Sequence, residues 1–206
     1  MTSLNPFTYP SEPHVRKHGP AGYKSYESYR PWLRDEFTFR CIFCLCREQW
    51  GLIRGSFDID HFVPQSQDPA GGLSYDNLLY ACRSCNLGKS SNLLPDPCRI
   101  AFGKCLSVGL DGGVVPLNDE GQILVDTLRL NNQDYTHFRR LILGIVNSLV
   151  RSRNRSDHHI LSMLMSYPDN LPDLSSLRPP RNNRPEGVKE SYLARRAAGT
   201  LPAYHH

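Results

Sequence analysis

Four of the seven cysteines fall into two Cys-x-x-Cys pairs, Cys41/Cys44 and Cys82/Cys85, separated by 37 intervening residues. Each pair turns tightly enough to offer both sulfurs to one ion, and two pairs let four thiolates converge tetrahedrally on Zn²⁺. Four thiolates close the coordination sphere and leave no position for water, so zinc held this way is structural. Its expected role is to tie together the ends of a segment with little apolar core of its own. Cys46 offers a fifth thiol nearby, whereas Cys98 and Cys105 read as ordinary small buried residues. Reactive chemistry has to come from other side chains.

Those side chains lie between and just beyond the pairs. Phe57-Asp58-Ile59-Asp60-His61-Phe62-Val63-Pro64 alternates apolar and acidic residues with the period of a strand. Tyr75-Asp76-Asn77-Leu78-Leu79-Tyr80-Ala81 reads as a second strand, and Cys82-Arg83-Ser84-Cys85-Asn86-Leu87-Gly88-Lys89-Ser90 as the opening of a short helix. Two aspartates and a histidine in a half-buried strand are costly unless the carboxylates bind something.

In these residues the sequence resembles the HNH endonuclease family. The core of that family is an Asp-His pair ending one strand, a middle Asn, and an Asn or His on the following helix, here Asp60-His61, Asn77 and Asn86. Its zinc-stapled members add two Cys-x-x-Cys pairs, matched by Cys41/Cys44 and Cys82/Cys85. The stretch from Asp58 to Ser66, with Arg83 to Asn92 downstream, is also similar to the HNH domain of CRISPR effector nucleases, which lack this quartet of cysteines. The resemblance covers about residues 38 to 92, roughly a quarter of the chain. After residue 100 it is weak and confined to Leu128-Arg129-Leu130-Asn131.

The resemblance implies phosphodiester hydrolysis, which needs an activated water, charge relief on the phosphoryl oxygens and a stabilised leaving group. His61 is then the general base, a residue type that titrates near neutral pH. Its other ring nitrogen would be held by a backbone carbonyl in a loop organised by Asn77. Asp60 and Asn86 would supply two oxygen ligands to one Mg²⁺ or Mn²⁺ and leave positions for substrate and water. Lys89, one turn beyond Asn86, could add a positive contact to phosphate. Asp58 shares a strand face with Asp60 and is read as its supporting partner. Plainer readings stand beside these: Asn77 as a turn residue, Lys89 as a solvated helix end, Asp58 as a loop hydrogen-bonder.

The rest of the chain must position this group. With 15 glycines and 16 prolines in 206 residues and a 39% hydrophobic fraction, composition suits a loop-rich fold. A net charge of +4 permits a polyanionic partner without demanding one. The expected organisation is a flexible arm over 1–20, a nuclease module with a bracing helix over 21–97, a hairpin and helical extension over 98–167, and a Pro/Arg-rich tail over 168–206, extended or used for docking. In the bracing segment Tyr23, Tyr26, Tyr29, Trp32 and Phe37 recur at roughly helical spacing, and Pro31 must start or kink the helix. Those aromatics either pack or form a surface that stacks on nucleic acid.

Further on, Lys104 to Pro116 reads as a hairpin turning at Asp111-Gly112-Gly113. Asn118 caps a helix with Ile123, Leu124 and Leu128 on one face. In a second helix, from about Asp134, the apolar positions Phe138, Leu141, Ile142, Ile145, Val146 and Leu149 fit a period of 3.6, and a third runs from Ser156 to Met165 presenting Ile160 and Leu164. These helices are expected to supply the hydrophobic core that a small zinc module lacks. Arg139, Arg140, Arg151, Arg153 and Arg155 decorate these helices as a solvated or phosphate-gripping face.

The fold class expected is therefore α+β: a ββα-metal, treble-clef-like module with structural zinc, between an N-terminal helix and a helical C-terminal extension. The activity implied by the resemblance is DNA cleavage leaving 5′-phosphate and 3′-hydroxyl ends, with RNA left open and the ββα helix set against the minor groove. The absence of a signal peptide or spanning segment favours a cytoplasmic setting without membrane. Chains of this appearance accompany bacterial defence ATPases or restriction systems, which offers an anti-phage effector role and an ATPase partner by analogy. A different class competes: zinc knuckles on a ββα shape also build non-catalytic modules that bind nucleic acid or protein.

Overall fold

The computed structural model describes residues 4–50 and 56–203, so residues 1–3 of the expected arm and 204–206 of the expected tail lie outside it. The chain separates into two compact units. One joins Val15–Leu94 to Pro168–Pro202; the other joins the residues up to His14 to Pro95–Tyr167.

The first unit holds the motif residues. A 3-10 turn over Tyr26–Tyr29, opened by Ser25 Oγ accepting from Glu27 N, leads into helix α1, Arg30–Glu36. Pro31 sits in the first turn, where its missing N–H has no intrahelical partner to lose. The helix therefore starts at the proline. Tyr29, Trp32, Leu33 and Phe37 are buried, which settles them as packing residues and removes them from any nucleic-acid surface. The helix ends without glycine: Thr38 and Phe39 take φ of 55° and 57°, and Phe39 N donates back to Arg34 O at 2.8 Å. Left-handed backbone at a non-glycine residue costs about 1–2 kcal/mol, offset here by burial of Phe39.

Strands β2 (Phe57–His61) and β3 (Leu78–Cys82) pair antiparallel, with Asp58 opposite Ala81 and Asp60 opposite Leu79. Helix α2, Arg83–Lys89, follows β3 directly and packs on both strands. This is the expected ββα arrangement, and the fold is α+β. Every residue of β3 is buried, with α1 and α2 both against it.

The tail is not extended. Leu171, Leu174 and Tyr192 are buried, and strand β6 (Arg181–Asn182) pairs with β1 (Pro20–Ala21). Tyr192 N donates to Asp35 Oδ2 at 2.8 Å, opening a last helix over Tyr192–Ala197. Arg184 grips both carboxylate oxygens of Asp76, at 3.0 and 3.3 Å, and donates to His18 O at 2.9 Å. Asp35 and Glu36, both buried, serve as fixed acceptors for this closure. Glu36 takes the backbone N–H groups of Lys17 and His18 and the Tyr75 hydroxyl, and Asp35 meets His18 Nε2 at 2.8 Å.

In the second unit the N-terminal arm is packed as well: Phe7 and Tyr9 are buried, and Gly103 N donates to Pro10 O. The hairpin β4 (Leu106–Val108) and β5 (Val114–Pro116) turns through Gly112 at φ +82°, where a Cβ would lie 2.4 Å from Thr136 O. Asn118, Asn132 and Asn154 each accept from a first-turn N–H to cap helices α3 (Asp119–Thr127), α4 (Gln133–Arg151) and α5 (Arg155–Met165). Within these apolar sets Ile123, Leu141, Ile145 and Ile160 are exposed, while Val125, Leu143 and Leu161 take buried positions. The apolar stripe is turned by about one residue relative to the expectation. Arg139 is not a surface cation; it is buried, donating to Gly112 O and Leu130 O.

If the tail is part of the fold, truncating Tyr192 must cost stability. Its buried ring meets Phe39 edge-on at 5.4 Å, and Tyr192→Ala is expected to lower unfolding free energy by about 2–4 kcal/mol. Urea denaturation measures this, and an unchanged midpoint would show the tail to be free.

Candidate active site and metal centre

The knuckle at Cys41–Cys44 is shaped by its own backbone. Leu45 N donates to Cys41 O at 3.0 Å, Cys41 N donates to Cys46 O at 2.9 Å, and Leu45 adopts φ 59° to close the turn. Ile42 N donates to Tyr80 O, fastening the knuckle to β3. The second knuckle is the junction of β3 and α2, with Cys82 as the residue preceding the helix.

All four cysteines are buried, and their sulfurs lie within 4.8 Å of one another, Cys44 and Cys82 at 3.6 Å. Tetrahedral Zn–S bonds of about 2.3 Å require sulfurs roughly 3.8 Å apart, so the cluster fits zinc. The thiols also compete for one another's protons. Hydrogen bonds from Cys41, Cys44 and Cys85 hold Cys82 down, while burial pushes Cys41 up and hydrogen bonding with Cys41 pushes Cys85 up. A cation at the centre resolves that competition. Cys46 is buried outside the cluster, its thiol donating to Arg47 O at 3.8 Å. Cys105 is buried as expected, but Cys98 is only half-buried.

His61 ends β2, and its Nε2 lies 3.0 Å from Gly72 O. A carbonyl only accepts, so Nε2 carries the proton and Nδ1 of the neutral ring is left as the acceptor. The loop that supplies this carbonyl is clipped by Asn77. Asn77 Oδ1 accepts from Val63 N at 2.8 Å, and its Nδ2 donates to Val63 O and Gly71 O. Tyr29 adds a hydroxyl bond to Leu73 O. A Cβ at Gly72 would lie 2.8 Å from Gln65 Nε2, so a side chain there would have to displace the end of Gln65.

On the other face of β2, Asp60 and Lys89 are both buried. Lys89 Nζ reaches Asp60 Oδ1 at 3.1 Å and His61 O at 2.7 Å. Lys89 is therefore not a solvated helix end, and in this arrangement its ammonium serves Asp60 rather than a phosphate. Among the described residues, the buried Asp60 Oδ2 has no hydrogen-bond partner. Burial pushes the Asp60 carboxyl up to about 6 against the opposing pull of Lys89, with Asp58 adding to the rise. Asn86 lies half-buried on α2, its Nδ2 3.2 Å from Asp58 Oδ2. Asp58 thus meets Asn86 rather than supporting Asp60 directly.

The structure brings together Asp60, His61 and Lys89 by direct contact, places Asn86 beside Asp58, and uses Asn77 to clip the loop whose Gly72 carbonyl meets His61. Two participants escaped the sequence reading. Tyr26 stands edge-on to the His61 ring at 5.1 Å, and Gly72 supplies the carbonyl that fixes its tautomer. The aromatic spacing flagged Tyr26 only as one of a helical series, and a glycine acceptor leaves no mark in sequence.

Removing one partner of a buried ion pair strands the other, at about 3–5 kcal/mol. Lys89→Met should therefore cut stability by that order in chemical denaturation, and a loss below about 1 kcal/mol would show the pair to be solvated. Elemental analysis of protein purified without chelator should find about one zinc per chain, lost in Cys82→Ser together with the fold. A folded, zinc-free Cys82→Ser protein would contradict the structural role.

No curated protein matches the chain. The family model described as HNH endonuclease matches residues 41–92, which contain both knuckles, Asp60, His61, Asn77, Asn86 and Lys89, so over this segment the chain is similar to that family.

Proposed function

We propose that the chain is a metal-dependent endonuclease that hydrolyses DNA phosphodiesters, with His61 as general base and one Mg²⁺ or Mn²⁺ held by Asp60 and Asn86. The observation that carries the reading is the unpartnered Asp60 Oδ2. A buried carboxylate oxygen left without a hydrogen bond costs about 1–3 kcal/mol or more. Lys89 satisfies Oδ1, and the buried Oδ2, without a partner among the described residues, is the oxygen that would take the ion. A module that merely bound nucleic acid or protein would have no use for that expense.

Hard divalent cations take oxygen ligands, and a carboxylate with one amide oxygen leaves most positions to water and phosphate. When bound, the ion would relieve charge on a phosphoryl oxygen and on the leaving 3′ oxygen. The chain's own part is proton transfer and alignment. His61 Nδ1 takes a proton from a water whose oxygen bonds to phosphorus as the P–O3′ bond breaks. The 3′ oxygen leaves with the bonding pair and is protonated from solvent, giving a 5′-phosphate and a 3′-hydroxyl. Gly72 O, holding Nε2–H, keeps the ring in the tautomer this requires and steadies the imidazolium that results. Asn77 keeps Gly72 in place through Gly71 and Val63.

A setting in anti-phage defence or restriction, with an ATPase partner, stays an analogy. The tail offered for docking is occupied within its own unit, which leaves that analogy without a free segment to rest on. Among the described residues no helix is long and apolar enough to cross a membrane.

Supercoiled plasmid incubated with Mg²⁺ or Mn²⁺ should be nicked, because one site cuts one strand. His61→Ala is expected to lower the rate by about 10²–10⁴ with zinc content unchanged; full activity in that variant would sink the mechanism. EDTA, applied so that zinc is retained, should abolish cleavage, and undiminished activity would show that no second metal takes part.

A further inference from the structure

Asp58 and Asp60 share a face of β2, spaced two residues apart, and Asn86 and Lys89 share a face of α2, spaced three apart. The two faces meet in matched pairs: Asp60 with Lys89, and Asp58 with Asn86. The first pair is an ion pair; the second joins a carboxylate to an amide whose two ends differ in chemistry. An ionised carboxylate only accepts hydrogen bonds, so Asn86 must turn Nδ2 toward Asp58. Nδ2 and Oδ1 branch from one planar carbon, and fixing the nitrogen fixes the oxygen on the opposite branch. Among the described residues, Asp58 is the partner that Asn86 Nδ2 has. Arg83 approaches Asp58 Oδ1 only at 3.8 Å and is 62% exposed, too open to compete strongly for the carboxylate.

We infer that Asp58 is a positioning residue that sets the orientation of the Asn86 amide, so that oxygen and not NH₂ is presented to the divalent cation. The inference rests on the reading of Asn86 as a metal ligand. Mg²⁺ and Mn²⁺ bind the amide oxygen and are repelled by the amide hydrogens, so an unlatched Asn86 spends part of its time in a form that cannot bind. The side chain also regains rotamer freedom that the latch had removed. Asp58 is the reason an asparagine serves at position 86: its carboxylate demands a donor, and the amide supplies one while keeping an oxygen for the ion.

The test is Mn²⁺ uptake by the zinc-loaded protein, followed by loss of the free-ion EPR signal, in the parent, Asp58→Ala, Asp58→Asn and Asn86→Ala. Removal of a group that orients a metal ligand typically costs about 10–100-fold in affinity. Asp58→Ala should therefore weaken Mn²⁺ binding by about tenfold or more. Asp58→Asn keeps an oxygen that accepts from Nδ2 and should recover most of the loss, although the charge is gone. Zinc content and melting temperature should stay at parent values in both, because Asp58 is half-buried. Parent-like binding by Asp58→Ala, while Asn86→Ala binds poorly, would overturn the positioning role and leave the metal reading intact. Asp58→Asn binding as weakly as Asp58→Ala would overturn it too, by showing that charge alone matters. Equal binding by the parent and Asn86→Ala would remove Asn86 as a ligand and both readings with it.

Discussion

Four sulfurs within 4.8 Å of one another hold the chain at two points 37 residues apart, one at the Cys41–Cys44 knuckle and one where β3 becomes α2. Because Cys82 is at once the last residue of β3 and the residue before α2, fixing it sets both the direction in which the helix leaves the strand and its rotation. That rotation decides which side chains of α2 look back at β2. With Cys85 turned to the cluster, Asn86 and Lys89 fall on the strand side, where Asp58 and Asp60 wait. The chemistry of the site is thus a consequence of a tether that takes no part in it.

The electrostatics of the site follow from that placement. Two aspartates on one strand face repel, and each is given a different answer: a buried ammonium for Asp60, a neutral amide for Asp58. A second ammonium in place of the amide would neutralise the site and leave it no pull on a cation. Instead one carboxylate oxygen is left over, without a hydrogen-bond partner among the described residues.

The matched spacing of Asp58/Asp60 and Asn86/Lys89 was legible in the sequence, because strand and helix periods alone place each pair on one face. So were the cysteine cluster, the ββα order and the Asn118 cap of α3, where residue type and local backbone dictate one another. Lys89 was misplaced because burial of a lysine depends on a distant carboxylate, which spacing does not reveal. The helices after residue 118 were found by their period, yet a period gives a stripe and not its edges. Hence Ile123, Leu141, Ile145 and Ile160 fit the period and yet lie exposed. Arm and tail were read as loose because Pro, Arg and Asn carry no periodicity. Their order comes from long-range partners, such as Asp76 for Arg184 and Asp35 for the Tyr192 backbone, that only the folded chain brings near.

The return of residues 168–202 to the unit that begins at Val15 also has a meaning in time. A ribosome delivers the knuckles, both strands and α2 first, then the 73 residues between Leu94 and Pro168, and only afterwards β6, Arg184 and Tyr192. At about 5–20 residues per second the interval is roughly 4–15 s. Throughout it β1 lacks its neighbour, Asp35 lacks an acceptor's due from Tyr192, and Asp76, next to the asparagine that organises the His61 loop, is unheld by Arg184. The nascent knuckles, strands and α2 are therefore present, but unbraced, until residues 181–192 have been made.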